Sequence, residues 1–587
     1  MSTGGSALRE FRWRRLWWLA AVLGVALLAA GVWVGWKGSV AYVALRDAQG
    51  AAAKARDAIG TGDAIEGARQ LTVMSSDMAR ARAATEDSLW KAASSVPWIG
   101  PNLDAVTSLT AALDDLARDG VAPVVDIVSV VASGGLAPRD GRIDLGPLAA
   151  AAPELAKAAD AGERASASVA EIDSGALLPV VAEQVDEVRV QLDEVASALR
   201  TGARVSALLP GMLGADGERH YLALFLNSAE LRSTGGLVGA MAVITADDGA
   251  LSMSTTRAGT DLPRLDEPIL PLTPEELDLH SEALGRRVQA IALTPDFART
   301  AELAAAMWEA DTGEELDGVV ATDVVALAGV LAGTGPVTTA DGTQLTSETV
   351  LAELLHEPYL RYAKQADADE FFADAAGRSF AKVVAGDGSF SAVIDALATA
   401  SGQGRMLVWS KVAAEQEALH EAGISGAFLS GAAPDAGGIF LNDATGGKLD
   451  YFLDSQVDVT RVVCEDGGMR VGARLRLASR VPADVEDLPK YVTGLADVPK
   501  GTFVTRVSVY GPAGGALVST TLDGAAVGGR QGTEAGRDVN LLSVDLASGQ
   551  SVTYEFEWTV PHVGQVEVWS TPTTTAPGRL RVPGSCA

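Results

Sequence analysis

The sequence predicts a multidomain α+β chain: an N-terminal transmembrane helix, a helical-bundle stalk, an α/β sandwich core and a C-terminal antiparallel β-sandwich. Three observations carry that expectation. Leu16 to Trp36 holds no charged residue; residues 38–210 repeat apolar positions at helical spacing; and alternating strand patterns appear beyond residue 215, first interleaved with helices and then, from 437, alone. At 587 residues the chain is too long for one core. The expected divisions are a cytoplasmic tail (1–15), the span (16–36), the stalk (38–210), the core (215–425), the β-sandwich (437–570) and a tail (571–587). A formal net charge of −30 argues against a nucleic-acid partner, which needs a basic surface.

The apolar run has about the 20 residues that a bilayer-spanning helix needs. Arg9, Arg12, Arg14 and Arg15 precede it, opposed only by Glu10, so the positive-inside rule keeps the N-terminus in the cytoplasm. Trp13, Trp17, Trp18, Trp33 and Trp36 stand near its two ends, where aromatic rings favour the interface. A cleaved signal peptide is the alternative, disfavoured because the run exceeds a signal's apolar region. A single-pass cell-membrane anchor with the bulk of the chain outside the cytoplasm follows, its membrane partner held through Leu16–Trp36.

In the stalk, Val40 to Ala93 reads as one helix with a weak point at Gly60 and Gly62. A breaker at Ser94–Pro101 follows, then helices over 103–118, 121–131, 148–173 and 180–209. Short breaks make an antiparallel bundle the simplest packing. A spacer is the favoured role and a ligand sensor the alternative.

The core opens on His220 to Asn227, an alternating buried strand, followed by the polar loop Ser228 to Gly236. A hairpin comes next, Leu237–Thr245 with Ala250–Thr256, turning at Asp247-Asp248-Gly249. The loop is the best candidate site. Arg232 offers a planar fork for a phosphate or carboxylate. Thr234 adds a hydroxyl, and Gly235-Gly236 would let backbone N–H groups approach an anion. Arg257 and Arg264 follow the next strand and could share the same mouth; Asp261 and Asp266 could hold magnesium. The structural alternative has Glu230 pairing with Arg232 or Arg257 and the glycines serving a tight turn. Farther on, Thr294 or Asp296 could cap a helix over 298–310, and Asp323 more often caps the next helix than binds a metal. The 5 histidines lack metal-ligand spacing, and neither a G-x-S-x-G elbow nor a P-loop occurs.

From 437 the alternation suits an antiparallel sandwich, with Thr571–Pro577 read as a loose tail. Lys448, in Asn442–Asp450, could reach a polar site on the core or pair with an acidic neighbour. Cys464 and Cys586, the only 2 cysteines, could form one disulfide or remain two thiols.

Several motifs agree in order: NSAELRSTGG, a TPDF helix start, LDGVVATD with GTGPV after it, and NDATGGKLDYFL. Together they resemble a bacterial envelope family catalogued as domain of unknown function 4012, over about residues 90 to 530. The resemblance implies an envelope location and no known activity. A second likeness runs from the hairpin through Arg257-x-x-x-Asp261 to DGVVATDVVALAGVLAGTGPV, an order similar to the LytR–CpsA–Psr phosphotransferases. Those membrane-anchored enzymes move a glycopolymer from a polyprenyl-pyrophosphate lipid to the wall, with arginines on the pyrophosphate and a carboxylate-bound magnesium ion. On that likeness Arg232, Arg257 and Arg264 would clamp phosphates, and Asp261, the third catalytic candidate beside Arg232 and Arg257, would hold magnesium. Their serine-proline-arginine-aspartate step is absent here. The favoured expectation is therefore a non-catalytic binding or scaffold protein for envelope polymer or partner proteins, with no established cofactor. The alternative is a magnesium-dependent phosphotransferase acting on polyprenyl-pyrophosphate-linked glycopolymer.

Overall fold

In a computed structural model the described residues are 7–60, 63–132, 134–431, 433–465, 467–482, 485, 488–562 and 564–582. The chain is mixed α+β and separates into two compact units, residues 1–135 with 146–207, and residues 136–145 with 208–587.

The first unit is helical. Helix α1 runs unbroken over Ala7–Gly60. From Trp17 it begins an apolar, exposed stretch that by length and composition fits a membrane span or a signal sequence. Its C-terminal half buries Ala41, Ala44, Ala48, Ala51 and Ala55. Their spacing of three and four puts them on one face, and small side chains let α2 (Ala64–Thr85) lie close against it. Asp63 caps α2 by accepting from Glu66 N, so the expected weak point near Gly60 is a true break. α3 (Ser88–Ala93) leads to α4 (Gly100–Ala132), α5 (Gly146–Ala170) and α6 (Pro179–Met212). Leu109, Ala112, Ala165, Val169, Val185 and Leu192 form the core that these last three share. The two short helices expected over 103–118 and 121–131 are one helix, because Pro123 costs α4 a backbone hydrogen bond without ending it.

The second unit opens with strands β1 (Arg219–Asn227), β2 (Leu237–Asp247) and β3 (Ala250–Met253). Asp248 and Gly249, at φ +47° and +79°, supply the two left-handed residues that a tight hairpin turn requires. β4 (Arg257–Ala258) pairs with β2; α7 (Pro274–His280), α8 (Ala283–Arg286) and α9 (Phe297–Thr312) follow. Then come β5 (Gly318–Asp323), α10 (Val324–Thr334), the small pair β6 (Val337–Thr338) and β7 (Gln344–Leu345), and β8 (Met406–Ser410). The sheet order is β3-β2-β1-β5-β8. β1 and β5 run parallel, and the other pairs run antiparallel. Asp296 caps α9 and Asp323 caps α10. Two short helices, Val350–Leu355 and Glu357–Arg361, follow β7 and are separated at His356, ahead of Pro358.

The strand-rich remainder comprises β9 (Gly437–Asp443), β10 (Leu453–Glu465), β11 (Gly468–Ser479), β12 (Phe503–Tyr510), β13 (Leu517–Leu522) and β14 (Ala525–Ala526). β15 (Arg530–Glu534), β16 (Arg537–Leu546), β17 (Ser551–Val560), β18 (Val566–Ser570) and β19 (Arg579–Val582) complete it. They make two sheets, β10-β11-β17-β13-β14 and β15-β16-β12-β9-β18-β19. Alternate residues of both, among them Ile439, Val471, Leu475, Val507, Phe556, Trp558 and Val568, close on one core. The loose tail expected over Thr571–Pro577 is instead ordered. Thr571 and Thr573 are buried, and the Thr573 and Ala576 carbonyls accept from Arg405 at 2.7 Å each. The chain then returns as β19. Among the described residues no cysteine is free; Cys464 is the last residue but one of β10, and Cys586 lies outside the described residues.

Candidate functional site

The loop Ser228–Gly236 leaves the end of β1 and folds back through Gly235 N to Arg232 O at 2.8 Å and Leu237 N to Glu230 O at 2.9 Å. Leu231, at its tip, is fully buried in the core of the two-sheet region. Burying the tip strands its backbone polar groups, which therefore need partners. The Asn442–Asp450 segment supplies them. Leu231 N donates to Asp450 Oδ2 at 2.7 Å, Ser233 N donates to Asn442 Oδ1 at 3.0 Å, and Asp443 N donates to Leu231 O at 2.9 Å. Thr571 Oγ1 donates to Ser233 O at 3.1 Å.

Charged side chains close the same junction. Arg232 Nη2 meets Glu230 Oε1 at 3.1 Å, and Nη1 donates to Leu231 O at 2.7 Å. Lys448 Nζ pairs with the other Glu230 oxygen and lies 5.6 Å from the Tyr359 ring centre. Burial raises Asp450 well above the usual carboxylate range, with Asp443 adding to the effect. Burial also raises Asp443, against the pull of Arg232. Burial opposes the charge on Lys448, but Glu230 and Tyr359 outweigh it and the amine is raised. Arg232 is engaged on every nitrogen, Nε by Gln289 O, Nη1 by Leu231 O and Asp443 O, and Nη2 by Glu230, which leaves it no free edge for a phosphate.

The glycines serve packing. A Cβ on Gly236 would lie 2.5 Å from the Asn227 carbonyl, and one on Gly235, at φ +121°, would lie 3.1 Å from Pro572. Thr234 Oγ1 is buried without a partner among the described residues. Arg257 turns elsewhere, with Nη1 3.0 Å from Asp311 Oδ2 and the guanidinium 5.2 Å from the Trp308 ring centre. Asp261 accepts from Ala258 N at 3.0 Å and closes a short turn. Asp261 and Asp266 are exposed. No group of three or more His, Cys, Asp or Glu fit to hold a metal occurs among the described residues.

Arg264 goes to a different place. With Ser281, Glu282, Ala283, Arg286 and Arg287 it lines a cavity of about 360 Å³. The chain makes this cavity by pairing Leu265 N with Arg286 O at 3.0 Å and Ile269 N with Gly285 O at 2.9 Å. Arg286 reaches Leu265 O at 2.9 Å and Glu282 Oε2 at 3.1 Å. Among the described residues neither Arg264 nor Arg287 has an ion-pair partner, and both are exposed. Arg286 and Arg287 carried one readable signal, an adjacent basic pair in an acidic chain. Arg405 is a second site residue that sequence reasoning missed. Fully buried, it joins Asp323 Oδ2 at 2.7 Å to the carbonyls of Thr573 and Ala576, and Asp323 thus ties strands as well as capping α10.

Neither the curated proteins nor the solved structures contain a match to this chain. The family model that matches covers residues 216–359, from the approach to β1 through the break ahead of Pro358, a narrower stretch than the motifs suggested. Over those residues the chain is similar to the family described as "Protein of unknown function (DUF4012)".

Proposed function

We propose that this is a single-pass membrane-anchored binding or scaffold protein of the cell envelope, N-terminus inside, that holds an anionic group in the Arg264–Arg286–Arg287 cavity. Residues 38–210 serve as a helical-bundle stalk that carries the α/β core (215–425) and the β-sandwich (437–570) outside the cytoplasm. The continuity of α1 supports an anchor over a cleaved signal. A cut within its apolar half would free a helix whose other half packs its alanine face on α2.

The observation that carries the binding role is how the arginines are divided. Arg232 and Arg257 are engaged by Glu230 and Asp311, whereas Arg264 and Arg287 face a cavity whose one carboxylate, Glu282, is paired with Arg286. Exposed guanidinium groups on a chain of net charge −30 form a local electropositive spot that planar phosphate or carboxylate oxygens can meet in bidentate fashion. In this reading the cavity binds its anion directly through the arginines, and the role is binding alone.

Titration calorimetry of the full chain in detergent, with pyrophosphate and with long-chain polyphosphate, tests this. Binding should weaken with salt and be unaffected by a chelator. An Arg264→Gln, Arg287→Gln double variant should lose roughly ten- to hundredfold, since a charge-assisted hydrogen bond contributes about 1.5–3 kcal/mol. Equal binding by the double variant, or binding that requires magnesium, contradicts the proposal.

A further inference from the structure

α1 fixes where the bilayer surface lies along the first unit. Trp33 and Trp36 end its apolar run, and Lys37 Nζ sits 5.6 and 5.7 Å from their ring centres, an arrangement suited to the headgroup level. The α2–α3 connection is held at that height. Trp33 Nε1 donates to Asp87 Oδ1 at 3.1 Å, Lys37 Nζ lies 4.0 Å from Asp87 Oδ2, and buried Trp90 packs against Gly38.

Two connections meet beside this level, and both lack charge: Ser94–Leu103 and Ser174–Ala182. They are joined by Leu178 N donating to Asn102 Oδ1 at 2.8 Å. Their apolar side chains point away from the protein: Trp98 is 91% exposed, Val180 67%, Leu178 58% and Ile99 55%. Trp98 adopts φ +71°, a conformation uncommon for a bulky residue. Its carbonyl accepts from Asn102 Nδ2 at 3.1 Å, which holds the turn that projects the indole. A contiguous uncharged patch led by a fully projected tryptophan is costly in water and favourable at a lipid interface.

We infer that Val96–Ile99 and Leu178–Val180 form a second membrane contact, with Trp98 and Leu178 seated in the headgroup region of the leaflet where α1 emerges. The bilayer is the occupant because the patch is tied, through Asp87 and Trp33, to the level at which α1 leaves it. Two contacts fix the tilt of the helices on the membrane, which one flexible span would not. This inference rests on reading α1 as an anchor.

The test uses the full chain in lipid vesicles, with an environment-sensitive fluorescent amino acid in place of Trp98, Leu178 or Ile65. These positions are exposed, so folding is not at risk. Ile65 is the control: it is 86% exposed at the start of α2, whose other end meets Asp87. At ~1.5 Å per residue it stands about 30 Å farther from the bilayer. Emission at positions 98 and 178 should be blue-shifted and quenched several-fold by a lipid-confined quencher, with position 65 unaffected. If the chain floats with the vesicles while positions 98 and 178 report water, the second contact is refuted and the anchor stands. A chain that does not float at all overturns the anchor reading, and this inference with it.

Discussion

Asp450 and Lys448 stand in the same buried cluster but should respond oppositely to neutralisation. Asp450 is already held towards its neutral form by burial, and its Oδ2 acts only as an acceptor for Leu231 N. Asp450→Asn keeps that acceptor and should cost no more than about 1 kcal/mol. Lys448→Met strips a buried partner from Glu230 and should cost about 3–5 kcal/mol, because a buried charge is left under-compensated. Urea unfolding of the two variants checks the contrast; equal losses would mean that Asp450 is ionised. Asp296 gives a pH signature. Burial raises it to about 6 even though Ser430 N, Leu429 N and Ala298 N donate to it. Its folded value thus lies above its unfolded value of 3.8, so the folded state binds the extra proton between about pH 4 and 6. Asp296 therefore makes stability fall as pH rises through that window, by about 2–3 kcal/mol in total. Unfolding curves of Asp296→Asn should lack that component of the slope, and a slope unchanged from wild type would contradict the assignment.

At the scale of elements, Gly236 and Gly342 separate packing from backbone strain. A methyl at Gly236 meets the Asn227 carbonyl at 2.5 Å, so Gly236→Ala should push β2 off β1 and cost about 3 kcal/mol or more. At Gly342 (φ +88°) nothing lies within 4 Å, and Gly342→Ala should cost only about 1–2 kcal/mol of left-handed strain. Thermal unfolding ranks them; the reverse order would show that the loop has room to move. Local signals made this part of the chain legible. Alternation marked β1, Asp-Gly marked the β2–β3 turn, and the capping carboxylates Asp296 and Asp323 marked α9 and α10. Short partners stayed hidden: β9 is a strand between β12 and β18, and β19 pairs with β18 alone. Thr571–Pro577 looks like a linker by composition yet is held by Arg405, far away in sequence. Pro123 misled in the other direction, since a helix as long as α4 can lose one hydrogen bond and continue.

For the whole molecule, the sequence showed which arginines to watch but not where their side chains turn. Arg232 and Lys448 share Glu230 across 218 residues of chain, a contact that no spacing reveals. Arg264 was grouped with Arg232 and Arg257 because the three are neighbours in sequence. The pairing of Leu265 with Arg286 carries it instead to a cavity with Arg287. The greasy run before Lys37, by contrast, needs no tertiary contact to be read, and the place of everything beyond it depends on that run. The most direct measurement is therefore topological: intact cells stripped of their wall, treated with external protease and then with carbonate, the retained peptides being identified by mass spectrometry. The peptide preceding Leu16 should stay uncleaved and inside, α1 should stay in the membrane pellet, and residues beyond Lys37 should be digested from outside. A mature chain that begins after Trp36 and is released by carbonate, or residues beyond Lys37 protected from the protease, would contradict this topology.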